Sequence, residues 1–462
     1  MRRFILATLF ASLLLATTAM AQTYTPSPGA SPAIAADLVS SDAIDRVWSG
    51  HSVRSALLVT TDRIYIGYYD ANRQLTVAVR ALSGGGWTYQ KLDTWNDWDS
   101  HNYIALAVDG SGRIHVAANM HASPMTMFRT DTTGDVRTLK RVDVLVDATL
   151  ERSATYPIFL HDKTGRLIFK YRDGSSGNGN EIYDVFDAAT ATWSRLTADP
   201  LTDGEGHRNG YFMGPVLGPD QQFHITWVWR ESPMAETNHD LSYARSPDLI
   251  HWFHADGQPF TLPIRLKDAE IVDPVPVKGG MINNNTIIGF DDKGRPMITY
   301  HKFDAAGDTE IYVARYEGKT GESKKAGGNG WHIAQVSQWK GYRWDFRGGG
   351  SLDAELFVSG AEPDGPGLLK IPVIRQGQSI DFIVRSSDLS LVEARPVVSL
   401  KDELSRTIKV PDGMQLNLVT APGAGDTLYA LAWAARPPHR DLPSADIPEP
   451  TTLSILTLKV KH

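Results

Sequence analysis

Apolar residues in this chain fall into short runs of five to eight, and no stretch sustains the 3.6-residue spacing of a long amphipathic helix. The runs at 55–59, 64–69, 75–79, 104–108, 114–118, 225–229 and 428–433 read as strands, and 453–460 alternates Leu/Ile/Leu/Val with Ser/Thr/Lys. Residues 42–47 are expected to form one short helical turn capped by Asp42. Two signals punctuate the runs. An acidic-Gly turn joins two apolar strands in Val108-Asp109-Gly110-Ser111-Gly112-Arg113-Ile114. It is echoed around Asp162 to Gly165 and Asp291 to Gly294, and weakly in Leu217-Gly218-Pro219-Asp220. A tryptophan follows each later turn, at Trp87, Trp193, Trp252 and Trp331, with gaps of 106, 59 and 79 residues. The first gap therefore holds two periods with one Trp missing. Two hairpins per period of roughly 50–60 residues make four strands per unit, the pattern of a propeller blade. The expected fold is all-β, a seven-bladed β-propeller of four-stranded antiparallel blades, with six or eight blades as alternatives. A ring of blades must close on itself, so 453–460 is expected to join the blade begun near Val47 and remove an exposed edge. Residues 262–280 and the Lys/Gly-rich stretch 317–329 break the period and read as surface insertions.

The first 21 residues stand apart from this pattern. Arg2-Arg3, an apolar run from Phe4 to Leu15 and the small residues before Gln22 have the form of a cleavable export signal, cut after Ala21. Residues 22–36 read as a flexible lead-in and 37–462 as a single domain. The expected location is secreted or periplasmic, with no membrane association and the chain acting as a monomer. Without Arg2 and Arg3 the chain carries 44 basic against 53 acidic residues, a net charge of −9. That balance opposes nucleic-acid binding. The absence of cysteine excludes disulfides, thiolate chemistry and Cys-bound metals. Twelve Trp, sixteen Tyr and fifteen Phe suit packed sheets and sugar-stacking surfaces.

The candidate chemistry sits where the strand after each acidic turn ends. These ends are Asn119-Met120-His121, Tyr171-Arg172, Trp229-Arg230 and Tyr300-His301, so titratable or cationic groups recur at one blade position and should line one rim. Such a ring suits an anionic ligand. His101 and His121, 20 residues apart, bracket one hairpin, so antiparallel pairing brings both imidazoles to one place, where they can exchange protons. His115 lies inside the strand and reads as packing. No carboxylates recur at the rim, which argues against a glycosidase with paired acids.

Ser100-His101-Asn102-Tyr103-Ile104 and Ile114-His115-Val116-Ala117-Ala118-Asn119-Met120-His121 are similar to the hallmark of the BNR-repeat seven-bladed propeller family that contains the ulvan lyases. So are Tyr171-Arg172-Asp173-Gly174, Gly177-Asn178-Gly179-Asn180, Trp227-Val228-Trp229-Arg230-Glu231, Thr237-Asn238-His239-Asp240-Leu241 and Tyr342-Arg343-Trp344-Asp345-Phe346. The resemblance runs over nearly the whole chain after the leader. It implies β-elimination of the rhamnose–(1,4)-uronate bond of ulvan or another anionic rhamnose–uronate polysaccharide, leaving an unsaturated uronate. Such a reaction needs the carboxylate neutralised, a base for the C5 proton and an acid for the departing O4. By the resemblance, His101 is the base, Tyr156 the acid, and Arg172 aided by His121 the neutralising pair; Tyr156 performing both proton transfers is the alternative. Asn102, Arg230, His239 and Arg343 are candidate substrate contacts. No catalytic cofactor is implied.

Two departures bear on this picture. Relatives carry a structural zinc on histidines and a cysteine, but Ser242 stands at the cysteine position here. His224, His239 and His301 could still hold a structural ion, zinc or calcium, with water as a fourth ligand. Trp48-Ser49-Gly50-His51 resembles a motif of rhamnosidases on the same fold, which use that histidine on the opposite face; Ser52 and Arg54 depart from their pattern, and structural filling is the leading reading for His51. A rhamnosidase centred on His51 and a non-catalytic glycan-binding propeller are the rival functions.

Overall fold

The computed structural model describes residues 35–318 and 329–461. The expected export signal, most of the lead-in and most of the 317–329 insertion lie outside the described residues. Seven antiparallel sheets are formed, each built on four strands; six draw theirs from one stretch of chain, and the seventh combines three C-terminal strands with the N-terminal one. Their innermost strands begin at Ala56, Ala105, Ala154, Asn209, Ile287, Leu356 and Gln415. The fold is the expected seven-bladed propeller. Its core lies in layers between successive sheets. Leu75, Val77, Leu106, Val116 and Phe128 fill the space between the first and second blades, and Met127, Phe159, Phe169 and Trp193 that between the second and third.

The acidic turns explain the repeat at the level of hydrogen bonds. Asp109 Oδ1 accepts from the backbone N–H groups of Ser111 (2.8 Å) and Arg113 (3.1 Å). Asp162 does the same for Thr164 and Arg166, and Asp291 for Lys293 and Arg295. A carboxylate that satisfies two turn N–H groups leaves the next residue free to turn back, and Gly112 (φ 82°) supplies the left-handed step. All these turns lie at one face. The opposite face carries the connections between blades and the loops joining the second and third strands of each blade, so residues bounding those loops converge on one rim.

Ring closure follows the expectation. Ala36–Val47 pairs with Thr451–Val460 along its length, making the N-terminal strand the outermost strand of the seventh blade. Residues 42–47 are therefore strand, not helix; pairing with the C-terminal strand supplies backbone partners that one isolated helical turn could not. Residues 262–280 are not wholly an insertion either. Glu270–Asp273 is the outermost strand of the fourth blade, and the extra chain is the loop around Trp252 that precedes it. The missing Trp belongs to the second blade, whose outermost strand Leu139–Val142 has none.

Candidate functional site

The connection from the first to the second blade carries Asp97, Trp98, Asp99, Ser100 and His101 across the rim. Asp99 Oδ1 accepts from the backbone N–H of His101 (2.8 Å), which curls the loop so that the imidazole Nδ1 lies 2.7 Å from the same oxygen. The other oxygen, Oδ2, is hydrogen-bonded to His121 Nδ1. One carboxylate thus holds both imidazoles, and their rings stack with centroids 4.0 Å apart. Asn119 (φ 59°) and Ala122 (φ 50°) take left-handed conformations on either side of His121. The segment His121–Ser123 then leaves its own sheet and pairs with the inner strand of the third blade, setting His121 opposite Thr155.

That pairing brings in the third blade. Register along Ala154–His161 skips from Thr155 to Ile158, and Tyr156 sits in the bulge at φ 58°. A bulge of this kind re-aims a side chain that regular pleating would direct elsewhere. The Tyr156 ring lies 6.0 Å from the His101 ring, and the Arg172 guanidinium sits 4.9 Å from the Tyr156 centroid. Arg172 is paired with Thr155 in the sheet and donates to its hydroxyl from Nη2 (2.8 Å). Close packing is possible because a Cβ on Gly179 would come within 3.0 Å of the Arg172 side chain. The four residues singled out from sequence therefore share one place. Besides Asp99, two more residues join them that the sequence did not single out. Tyr211, from the fourth blade, lies edge-on to Tyr156 at 6.0 Å and shares a hydrogen bond with Ser176 (2.7 Å). Asp441, from the seventh, lies 3.5 Å from His101 Nδ1.

The charge state follows from this packing. Burial alone would lower the His101 pKa, but hydrogen bonds to Asp441 and Asp99 outweigh it and push it up to about 9. Burial would raise the Asp99 pKa, but hydrogen bonds from His101 and His121 hold it well below the usual carboxylate range. Burial, then Tyr211, drives the Tyr156 phenol up against the opposing pull of Arg172 and Arg230. For Tyr211 the same two guanidinium groups outweigh burial and lower it. Arg172 is only 1 % exposed, its Nε has no hydrogen-bond partner, and it forms no ion pair among the described residues. A buried guanidinium without a carboxylate is costly unless an anion arrives to meet it.

The other expected contacts are placed differently. Asn102 is buried, and its amide donates to Asn96 (3.3 Å) and Asp97 (2.8 Å), so it braces the loop that carries His101. Arg230 caps its own loop, donating to the carbonyls of Ser232 (3.1 Å), Pro233 and Met234 (3.3 Å), with its guanidinium 5.0 Å from the Tyr211 centroid. His239 bonds Glu231 (2.9 Å) and Asp240 (3.0 Å); burial opposes, but these carboxylates raise its pKa. Arg343 lies over Phe303 (3.7 Å) and helps line a cavity of about 150 Å³ with Lys278 and Arg347. His115 is fully buried and bonded to Asp109 (3.0 Å), consistent with packing.

His224, His239 and His301 do not assemble. His224 pairs with Arg245 near the acidic turn, whereas His239 pairs with Trp229, five residues further along the same strand. At ~3.3 Å per residue that separates them by roughly 16 Å. His224 is bonded to Tyr243 (2.6 Å) and Asp220 (3.0 Å). His301 is fully buried beside Trp344, and burial lowers its pKa to about 4. Ser242 Oγ accepts from Trp229 Nε1 (3.1 Å). Among the described residues the histidine–carboxylate group with three ligand atoms within 4.8 Å of one another is Asp99, His101 and His121. There each Nδ1 is hydrogen-bonded to one oxygen of the Asp99 carboxylate.

His51 lies at the same rim as His101 and His121, not on the opposite face. It is 2 % exposed, accepts from Trp48 Nε1 (3.1 Å) and packs against Trp98 with centroids 5.6 Å apart. It fills the base of the loop that carries Asp99, and burial lowers its pKa.

With this geometry in place, three comparisons bear on it. The sequence profile of BNR repeat-containing family members matches residues 63–339. An ulvan lyase, short isoform, from Alteromonas sp. (strain LOR) is 25% identical over 220 residues, which is 36% of this chain and 41% of that protein. The match thus spans about two-fifths of the lyase's length. Two solved structures share the fold at low identity. The polysaccharide lyase Uly1 superposes with a TM-score of 0.59 at 13% identity, covering 88% of this chain and 90% of its own. A PL25 ulvan lyase does so with a TM-score of 0.59 at 12% identity, covering 90% and 95%; it has also been solved bound to -[GlcA(1-4)Rha3S]-.

Proposed function

Because the chain belongs to the BNR repeat-containing family, we propose that it is a polysaccharide lyase acting on an anionic rhamnose–uronate glycan such as ulvan. The observation that carries this reading is Arg172, a buried guanidinium without a carboxylate, beside an imidazole kept charged and a phenol aimed by a bulge. An incoming uronate carboxylate meets both cations, and its charge is neutralised. The C5 proton thereby becomes acidic.

His101 was expected to be the base. Two carboxylates keep its ring protonated near neutral pH, and an imidazolium has no lone pair with which to take a proton. We therefore assign His101, with Arg172 and His121, to the carboxylate, and Tyr156 to both proton transfers. Burial disfavours the Tyr156 phenolate, but the Arg172 and Arg230 guanidinium groups pull toward it, and in that form Tyr156 takes the C5 proton. The C5–H electron pair becomes the C4–C5 double bond as C4–O4 breaks, and the phenol returns the proton to O4. Tyr211, drawn toward its own phenolate by Arg172 and Arg230 against burial, stands edge-on to Tyr156. The similarity to the Alteromonas ulvan lyase and the shared fold of the two lyase structures support the same reading.

The test is incubation of the purified protein with ulvan while following ultraviolet absorbance. Elimination creates a conjugated unsaturated uronate and a rising signal. Fragmentation without that signal means hydrolysis, the outcome a rhamnosidase would give; binding without fragmentation means a glycan-binding propeller. The leader at residues 1–21 supports export, which N-terminal sequencing of the mature protein checks: a start at Gln22 is expected.

A further inference from the structure

The loop of residues 436–450 spans the rim of the seventh blade, and Asp441 lies 341 positions after Ser100, which it touches. Arg440 (φ 52°) and Asp441 (φ 58°) are consecutive left-handed residues, an arrangement that something outside the loop must hold. The Arg440 guanidinium donates to the carbonyls of Arg347 (2.9 Å) and Gly349 (3.2 Å), clamping the loop to the segment that enters the sixth blade. Asp441 completes the clamp. Its Oδ1 accepts from the Ser100 N–H and hydroxyl (both 3.0 Å) and from the Ser351 hydroxyl (2.7 Å). Its Oδ2 accepts from the Ser351 N–H (2.8 Å) and lies 3.5 Å from His101 Nδ1. One carboxylate therefore fastens loops of three blades around the residue next to His101.

We propose that Asp441 is a positioning residue, which together with Asp99 sets the orientation of the His101 ring and keeps it charged. The titratable groups facing His101 are the Asp99 and Asp441 carboxylates, the stacked His121 ring and the Tyr156 phenol; His51 feels the same two carboxylates. Asp99 alone is shared with His121, so the second carboxylate supplies charge that one bridging group divides between two rings. The inference rests on the lyase reading for its kinetic consequence only.

The experiment uses the full-length protein labelled with 15N-histidine, comparing wild type with Asp441→Asn and Arg440→Ala. Without substrate, the His101 ring titration in Asp441→Asn is expected to move to lower pH by about one unit or more. Arg440→Ala, which loosens the loop but keeps the carboxylate, is expected to move it by less in the same direction. With ulvan, kcat of Asp441→Asn is expected to fall by about tenfold or more at little change in KM, as for other groups that orient a reacting side chain. An unchanged His101 midpoint in folded Asp441→Asn overturns the proposal. Should that variant not fold, an unchanged midpoint in Arg440→Ala does so. A shifted midpoint in a protein that cleaves no glycan leaves Asp441 in place and removes the lyase reading.

Discussion

Asp99 bridges His101 and His121, one carboxylate oxygen to the Nδ1 of each ring. His101 comes from the connection between the first and second blades and His121 from a loop within the second, and a single anion bonds both rings. Few arrangements make two histidines so dependent on one neighbour.

Replacing that anion by an amide gives the first prediction. The His101 pKa in the folded protein, about 9, lies above the ordinary 6.5, so its stabilising contribution is complete below about pH 6.5 and fades as pH rises through 9. The Asp99 pKa is depressed below the ordinary 3.8, so its contribution is present above that value and is lost on acidification. The stability gap between wild type and Asp99→Asn should be widest between about pH 4 and 6.5, and should narrow toward pH 9. Urea unfolding across that range measures it. A gap that widens with rising pH contradicts the assignment.

Arg172 gives a second, in which stability and activity part company. Its buried guanidinium has a hydroxyl and two aromatic rings for company but no carboxylate. Arg172→Met keeps the volume and removes the uncompensated charge. The melting temperature should hold or rise, since apolar replacement of buried charge is often neutral or stabilising. Turnover should fall by at least ~10²-fold, the usual loss when a charge-stabilising donor is removed. A variant that melts far lower, with turnover scaled only to the folded fraction, would make Arg172 structural.

How much of this the sequence revealed depended on how local each interaction is. The acidic turns were legible because each aspartate bonds N–H groups two and four residues on, as Asp162 does with Thr164 and Arg166. The His101–His121 pair was legible because it brackets one hairpin, and Arg172 because it ends a strand at the recurring rim position; Tyr156 came only from the resemblance to the lyase family. Asp441 was not, since a carboxylate that acts across blades has no local pattern; Asp99 bonds the His101 N–H two residues on, but its bond to His121 spans 22 positions. Tyr211 did leave a signal: in Asn209-Gly210-Tyr211 it is third in its inner strand, as Tyr156 is in Ala154-Thr155-Tyr156. Blade-by-blade alignment would have found it. The helical reading of residues 42–47 failed because Ile44 and Val47, three apart, fit a helical face as well as a bulged strand; partners some 400 residues away decide. The proposed histidine metal set failed because His224 and His239, on neighbouring strands of one blade, lie toward opposite ends of it, and His301 belongs to the next blade.

That last point yields a third prediction. With His224 and His239 toward opposite ends of a strand pair and Ser242 bonded to a tryptophan, exhaustive dialysis against a chelator should leave the melting temperature and ulvan cleavage unchanged. His224→Gln should likewise bind no less metal than wild type by elemental analysis. Stoichiometric zinc or calcium in the purified protein, lost together with several degrees of stability, would restore the metal reading.

The fourth prediction separates the two assignments of His101 by their opposite signs. If the imidazolium pairs with the substrate carboxylate, kcat/KM should decline above about pH 9 as the ring gives up the proton that Asp99 and Asp441 help it keep. If the neutral ring is the base, kcat/KM should instead rise through that same range, because the competent form appears only on deprotonation. Tyr156 complicates the alkaline side, since its phenol is pushed upward and its phenolate also becomes commoner with pH. Tyr156→Phe does not resolve the matter, because it removes turnover under either assignment. His101→Gln does. It keeps a hydrogen-bond donor for the carboxylate while abolishing both the charge and the titration, so residual turnover with no descending limb near pH 9 supports the cationic role. Complete loss of turnover in His101→Gln at every pH, in a protein that still binds ulvan, supports the base.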